Sequence, residues 1–212
     1  MQIKSLVVGL GKIGMGYDYF ETKKIHSHAN ALDIHSSYSL SGGVDSNVFK
    51  RNNFYKKYQA ETFKSYLNAI KKINPELVVI STPIDTHYRI LKKIVKIKSI
   101  KAILCEKPIT DSIDKTKEIY KLFTNTGKFF FINYIRQYDP IINKILKIIK
   151  KDVSNSTAKI NVKYYNGFYN NASHFIFLIG KIFGFSDKIS ILSAKRKNPI
   201  IDSRIDFEIK YK

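Results

Sequence analysis

Residues 3–14, IKSLVVGLGKIG, decide the fold of this chain. Residues 3–10 form an apolar, β-branched run that stops at glycine, which is the pattern of a buried strand. Gly9, Gly11 and Gly14 have the spacing G-x-G-x-x-G. The first glycine permits a tight turn, the second lets a pyrophosphate approach the backbone, and the third lets a helix pack on the strand. Directly after a strand, this spacing favours a dinucleotide-binding loop over an ordinary turn.

Strand-like and helix-like segments alternate over the first 135 residues. The first helix is expected between residues 12 and 35. The alternation predicts an α/β fold, with an N-terminal Rossmann doubly wound parallel sheet that carries helices on both faces. The predicted strands are 3–10, 38–45, 77–81, 100–105 and 129–134, and the later predicted helices are 47–58, 64–73, 85–97 and 111–126.

The pattern changes after residue 135. Alternating segments there predict strands with one exposed face, and apolar segments at helical spacing predict helices. This mixture indicates a reduced C-terminal α+β domain carrying an antiparallel sheet. The predicted helices are 140–150 and 173–183, and the predicted strands are 157–165, 188–194 and 203–211.

We therefore expect two domains. Residues 1–135 would form an NAD(P)-binding Rossmann domain, and residues 136–212 a partial α+β domain for substrate binding or oligomerisation. The sequence ends at the last strand-like segment, so the second sheet would expose an open edge. Burial of this C-terminal sheet in a homo-oligomer is one expected result.

The composition is strongly basic, with 37 Lys and Arg against 17 Asp and Glu and a formal net charge of +20. Such a charge is typical of proteins that bind nucleic acid or membranes. The lysines, however, are spread along the chain in amphipathic surroundings that place them on solvated helix faces. We therefore expect a small-molecule partner and neither nucleic acid nor membrane. Salt-sensitive retention on DNA would support the alternative.

The single cysteine, Cys105, excludes an internal disulfide, which suits a reducing compartment. The N-terminus enters a strand at once, so no signal peptide is expected. The most apolar stretch, 173–185, is too short to span a bilayer. These features predict a cytoplasmic protein, with Cys105 as a small buried side chain at a strand end.

Asp45 ends the second predicted strand. A carboxylate at this point can accept hydrogen bonds from the ribose hydroxyls of an adenine nucleotide and would repel a 2′-phosphate, which favours NAD over NADP. Asp45 lies farther from Gly14 than the usual spacing of about 20 residues, so a longer helix or loop must intervene. The alternative is a turn residue at the strand end.

Four further segments make the prediction more specific. They are 81–87 (STPIDTH), 105–108 (CEKP), 133–136 (NYIR) and 173–184 (SHFIFLIGKIFG). With the glycine loop, and in the same order from residue 1 to about 185, they resemble the Gfo/Idh/MocA oxidoreductases, which are NAD(P)-dependent dehydrogenases of sugars and inositols. The E-K-P element after T-P-x-x-x-H is the most specific mark of the resemblance.

The resemblance implies a role for each matched position. Lys107 would contact the substrate hydroxyl and shuttle its proton, and His174 would face it from the second domain, which makes these two the expected catalytic residues. The expected substrate contacts are Lys107, Asn170 and His174. The expected cofactor contacts are Gly9, Gly11, Lys12, Ile13, Gly14, Asp45, Ser81, Thr82, Pro83, His87, Glu106, Lys107 and Arg136.

A lysine can accept the proton that an alcohol releases on oxidation. Its free pKa is about 10.4, and burial or neighbouring cations lower such a value toward the range useful for acid–base chemistry. The Glu106 carboxylate would oppose that change if it pointed at the Lys107 ammonium, and we expect it to face the cofactor side. On residue type alone, the alternatives are an exposed Lys107 before a turn proline and a structural His174.

Three histidines, His26, His28 and His35, lie close together in the sequence. No cysteine accompanies them and carboxylates are sparse, so we expect no metal site. By the resemblance, His28 would instead approach the cofactor cleft.

The chain departs from the family pattern at two side chains. Many members carry Asp four residues before the helix histidine and again three residues after it, where this chain has Asn170 and Phe177. We expect an NAD(P)-dependent oxidoreductase that moves a hydride between the nicotinamide and a sugar or nucleotide-sugar hydroxyl or keto group. The alternative is a non-catalytic NAD(H)-binding protein, or a truncated relic of such an enzyme.

Overall fold

A computed structural model describes residues 2–21, 24–153, 160–164, 167–186, 188–195 and 204–209. The chain divides into two compact units, Met1–Asn133 and Tyr134–Lys212.

The first unit is built on a six-stranded sheet in which every neighbouring pair is parallel. The strand order is β3-β2-β1-β4-β5-β6, so the order reverses between β1 and β4. Ligands of such sheets bind at this reversal, beyond the carboxyl ends of the strands. The strands are β1 (Ile3–Val8), β2 (Tyr38–Val44), β3 (Glu61–Phe63), β4 (Leu77–Ile80), β5 (Ala102–Glu106) and β6 (Phe129–Asn133).

Helices cover both faces of this sheet, which confirms the predicted doubly wound fold. Side chains of α1 and α2 pack on one face, and side chains of α3, α4 and α5 pack on the other. The helices are α1 (His28–Ile34), α2 (Val48–Tyr58), α3 (Tyr66–Ile73), α4 (Ile84–Ile94) and α5 (Ile113–Thr124).

One of the two glycines in β2 makes room for the core. A Cβ at Gly43 would lie 2.9 Å from the ring of Phe54, which is fully buried on α2. The missing side chain lets this ring reach the sheet, so the glycine that weakens the strand also allows the helix to pack closely.

The first helix lies within the expected range, residues 12–35, and occupies only the end of it. It begins at His28, and the described residues between Gly14 and His28 contain one helical turn, Gly16–Asp18. The amide of His28 donates to Ile13 O at 3.0 Å, and that of Ala29 donates to Gly14 O at 2.9 Å. In a regular helix such bonds join residues four positions apart, whereas these two join residues much farther apart in the sequence. The segment between Gly14 and His28 is therefore an insertion in the first turn of α1. This insertion explains the long spacing between Gly14 and Asp45.

A fully buried carboxylate, that of Asp18, holds the insertion in place. It accepts hydrogen bonds from His26 N at 2.7 Å, Ser27 N at 2.9 Å, Ser27 Oγ at 2.5 Å and Asn30 Nδ2 at 3.0 Å. Burial raises the pKa of Asp18, but the bonds from Ser27, His26 and Asn30 outweigh it and leave the pKa below its ordinary value. The carboxylate therefore fixes the residues that start α1.

The second unit contains two longer helices and a two-stranded antiparallel sheet. Residues 160–164 lie outside any strand, so this part of the predicted strand 157–165 is wrong, because their backbone pairs with no described strand. The rest of that segment lies outside the described residues. The elements are α6 (Pro140–Val153), α7 (Ser173–Phe183), β7 (Ile189–Lys195) and β8 (Arg204–Ile209).

Apolar side chains of β7, those of Ile189, Ile191 and Leu192, are exposed. Pairing of this sheet with another copy of the chain stays a prediction. Among the described residues, no helix is both long and apolar enough to cross a membrane.

We expect Asp18→Ala to lower the free energy of unfolding by about 3 kcal/mol at pH 7, because four donors, three of them buried, lose their acceptor. The pKa of Asp18 is depressed in the folded state, so its contribution is present above the unfolded value of about 3.9 and is lost as the pH falls further. Urea unfolding between pH 7 and pH 3 should therefore show the difference narrowing below about pH 4.

The matched control is Asp33→Ala, which removes an exposed carboxylate from α1 itself. It should change the free energy of unfolding by less than about 0.5 kcal/mol. A stability difference for Asp18→Ala that stays constant down to pH 3 would contradict the assigned role.

Candidate functional site

The turn after β1 requires two of its glycines for steric reasons. Gly9 has φ +99°, and a Cβ there would lie 2.6 Å from Ser81 O. A Cβ at Gly14 would lie 2.0 Å from Gly9 O. Ser81 closes the contact by donating from Oγ to Gly9 O at 2.7 Å. The glycine loop is thus pressed against the end of β4, at the reversal of strand order.

The middle glycine has no such constraint. A Cβ at Gly11 would meet no protein atom within 4 Å. The described protein therefore does not itself require glycine here, and the open space lies where a pyrophosphate would approach the backbone. Lys12 beside it is exposed and Ile13 half-buried. This cradle fits a dinucleotide cofactor, whose phosphates would accept hydrogen bonds from the loop.

Asp45 follows β2 at the same edge of the sheet and is joined to the glycine loop. Its Oδ2 accepts from Leu10 N at 2.9 Å, and its Oδ1 accepts from Asn47 N at 2.8 Å. The ammonium of Lys50 lies 3.5 Å from Oδ2. The carboxylate therefore has a structural task in the turn, and its contact with a ribose stays a prediction.

The loops after β4 and β5 are linked by one buried imidazole. His87, which is 1% exposed, points Nε2 at Thr82 O at 2.8 Å and Nδ1 at Pro108 O at 3.1 Å. A neutral ring donates to one of these carbonyls, and the Cys105 thiol, 3.6 Å from Nδ1, can supply a second bond. His87 therefore fixes the loop that contains Pro83 against the loop that contains Lys107.

Glu106 and Lys107 lie at the carboxyl end of β5. Glu106 Oε1 is 2.8 Å from His28 Nε2 and accepts a bond from Asn133 Nδ2 at 2.6 Å. Burial raises the pKa of Glu106, but the bonds from His28 and Asn133 and the positive charge of Lys107 leave the pKa below its ordinary value. Glu106 is thus held as a carboxylate, while Lys107 is half-buried beside it.

Cys105 is fully buried just before this pair. Burial raises the pKa of the Cys105 thiol far above its ordinary value, with a smaller effect from the charge of Glu106. The thiolate is the nucleophilic form of cysteine, so Cys105 is a packing residue, as the sequence indicates.

Three predicted site residues belong to the second unit. Arg136 lies in a helical turn, Ile135–Tyr138, with its guanidinium 5.1 Å from the centre of the Phe175 ring. His174 is buried at the start of α7, with its ring edge-on to that of Tyr134 at 5.6 Å. Asn170 lies in the helical turn just before α7.

The structure brings together the predicted residues of the first unit, which all lie at the carboxyl ends of β1, β2, β4 and β5. Sequence reasoning did not assign Asn133 to the site, although N-Y-I-R was noted as a motif. The sequence does not show that Asn133 on β6 lies opposite Glu106 on β5. Among the described residues, no group of three or more His, Cys, Asp or Glu side chains could hold a metal ion.

We expect His87→Ala to lower the free energy of unfolding by about 3 kcal/mol, because one carbonyl loses its donor and a cavity replaces the buried ring. Arg89→Ala, which changes an exposed residue of α4, is the matched control. Urea unfolding measures both variants. Equal stability of the two would show that His87 does not fix these loops.

Comparison with known proteins agrees with this geometry. Inositol 2-dehydrogenase of Rubrobacter xylanophilus is 33% identical over 82 residues, which cover 38% of this chain and 23% of that protein. The structure of apo scyllo-inositol dehydrogenase from Lactobacillus casei has a TM-score of 0.73 at 16% identity and covers 98% of this chain and 65% of that one. GenD2 from gentamicin A biosynthesis, solved in complex with NAD, has a TM-score of 0.75 at 16% identity and covers 99% of this chain and 62% of that one.

The structural similarities show the fold, and the chain spans less than two thirds of the length of each of these relatives. The family described as "Oxidoreductase family, NAD-binding Rossmann fold" matches residues 3–134. This match covers more than half of the chain and includes the glycine loop and the E-K-P element. The chain therefore belongs to the Gfo/Idh/MocA oxidoreductase family, with its NAD-binding Rossmann fold.

Proposed function

We propose that this chain is an NAD-dependent oxidoreductase that transfers a hydride between the nicotinamide cofactor and a hydroxyl or keto group of a sugar, nucleotide-sugar or cyclitol. The inositol dehydrogenases among its relatives support the choice of a polyhydroxylated substrate.

The observation that carries the proposal is the open space at Gly11. Gly9 and Gly14 are needed to fold the loop, whereas a side chain at Gly11 would meet no described atom within 4 Å. A glycine that the fold does not require, at the point where the loop faces outward, is best explained by a ligand in contact with the backbone. Asp45 at the end of β2 favours NAD over NADP, because its charge would repel a 2′-phosphate.

The cofactor, when bound, supplies the acceptor for the hydride. In the alcohol-oxidising direction, the neutral amine of Lys107 accepts the proton as the substrate O–H bond breaks, while the electron pair of the C–H bond leaves as hydride. In the reverse direction the Lys107 ammonium returns this proton to the new alkoxide oxygen. His87 supports the reaction by fixing the loops that contain Pro83 and Lys107.

The residues of the second unit extend the proposal. The resemblance assigns His174 and Asn170 to the substrate and Arg136 to the cofactor, and we propose these roles for them. Asn170 can donate and accept hydrogen bonds but cannot act as a carboxylate base. We therefore assign the proton transfer to Lys107.

The second candidate function is NAD(H) binding without turnover. Asn170, at a position where the family pattern has Asp, favours it. Cofactor binding that persists without any hydride transfer would distinguish this function from the dehydrogenase.

We expect Gly11→Ala to weaken NADH binding about tenfold and Gly11→Asp to abolish it, because the side chain occupies the space of the pyrophosphate and the carboxylate repels it. Gly11→Ala should keep the parent free energy of unfolding, since its Cβ would meet no described atom within 4 Å. Fluorescence titration with NADH measures the binding. Unchanged NADH affinity in a folded Gly11→Asp sample would refute the assignment of the loop.

We expect Lys107→Ala to lower turnover by about 10²–10⁴-fold, because general acid–base catalysis contributes a factor of that size. Turnover is measured as NADH formation in a screen of sugars, nucleotide-sugars and inositols. Lys101→Ala, at the opposite end of β5, is the matched control. A Lys107→Ala variant as active as the control would remove Lys107 from the mechanism, and a folded chain that binds no NADH would refute the proposed function.

A further inference from the structure

The carboxylate of Glu106 lies where the start of α1, the end of β5 and the end of β6 meet. Its Oε1 is 2.8 Å from His28 Nε2, a residue 78 positions earlier, and 2.6 Å from Asn133 Nδ2. The side chains of His28 and Glu106 are 11% and 13% exposed. Two donors from different elements therefore engage the same oxygen of a largely buried carboxylate.

This arrangement bears on the residue next to Glu106. The positive charge of Lys107 lies close enough to lower the pKa of Glu106. A carboxylate beside an amine in general favours the charged form of that amine. A lysine that must accept and release a proton near neutral pH is hindered by an unbalanced carboxylate. Hydrogen bonds to Oε1 offset part of that negative charge and fix the orientation of the carboxylate.

The insertion described above holds His28 at this position. Asp18 binds Ser27 on one side of His28 and Asn30 on the other. His28 is also tied to the glycine loop through its amide, which donates to Ile13 O. The backbone of His28 is therefore already fixed, and the contact of its imidazole with Glu106 costs little additional conformational entropy.

We propose that His28 is a positioning residue that, together with Asn133, fixes the Glu106 carboxylate and thereby keeps the neighbouring Lys107 amine able to exchange its proton. The inference rests on the proposed function, because Lys107 is the proton acceptor there. It assigns to residues 15–27 the task of holding that histidine.

Among the described residues, titratable groups of α1 and β5 lie beside this carboxylate. His28 faces it from α1, Lys107 follows it on the β5 loop, and the Cys105 thiol precedes it on β5. Asn133, the contact from β6, does not titrate. A change at His28 therefore acts on Glu106 first and on Lys107 through it.

The first test compares His28→Leu, which removes the donor, with His28→Gln, which retains one. The pH dependence of alcohol oxidation is measured for both. In His28→Leu we expect the midpoint of the acidic limb to rise by about one pH unit, with NADH affinity within about twofold of the parent. His28→Gln should restore most of the parent profile. His26→Leu, which removes an exposed imidazole two residues earlier, is the matched control and should leave the profile unchanged.

The second test needs no turnover, so it separates this inference from the proposed function. Trace labelling of the folded full chain with acetic anhydride, followed by peptide mass spectrometry, gives the pH at which Lys107 is half-titrated. We expect that pH to rise in His28→Leu and to stay at the parent value in His26→Leu. An unchanged value in folded His28→Leu overturns the inference even if the enzyme is active.

Asn133→Ala removes the other donor to Oε1 and replaces His28→Leu as the test if the latter does not fold. It carries the same expectation, a higher half-titration pH for Lys107, and an unchanged value overturns the inference in the same way. If the parent chain oxidises no alcohol, the proposed function fails, whereas the labelling result still decides the role of His28.

Discussion

The contact between the glycine loop and the end of β4 is the constraint on which the rest of the site depends. Gly9 and Gly14 have no room for a side chain, and Ser81 fastens the loop from the neighbouring strand. This contact lies at the reversal of strand order, where the edge of a doubly wound sheet opens. It fixes the backbone of Gly11 facing outward and leaves the space into which a cofactor fits.

The remaining groups of the first unit are arranged around that loop by hydrogen bonds between strand ends. Asp45 binds the loop from β2, and His87 joins the loops that follow β4 and β5. His28 and Asn133 hold Glu106 beside Lys107. Each bond connects residues from different elements, so the strand ends of the sheet hold these side chains in position.

The sequence was sufficient for the fold and for most of the residues at this edge. Apolar runs that end in glycine or proline predict strands, and the carboxyl ends of parallel strands meet, so Asp45 and Glu106 could be placed at the same edge of the sheet. The start of α1 could not be predicted, because an insertion breaks the helical pattern and only the bonds from His28 and Ala29 reveal the continuous turn. β3, with three residues, is too short to show a period. The bond between His28 and Glu106 spans 78 positions and has no local signal.

The insertion in α1 has a consequence for how this fold can diverge. The hydrogen bonds of a single helical turn join its two ends. The positions of these ends relative to the sheet therefore do not depend on the segment between them. The entropy of closing a flexible loop grows slowly, by about 0.6 kcal/mol for each doubling of length. Segments of different length could therefore occupy this position at little entropic cost, provided that they replace the bonds that Asp18 accepts from Ser27 and Asn30. The first turn of α1 is thus a site at which a lineage can add sequence beside a cofactor loop without rebuilding the loop itself.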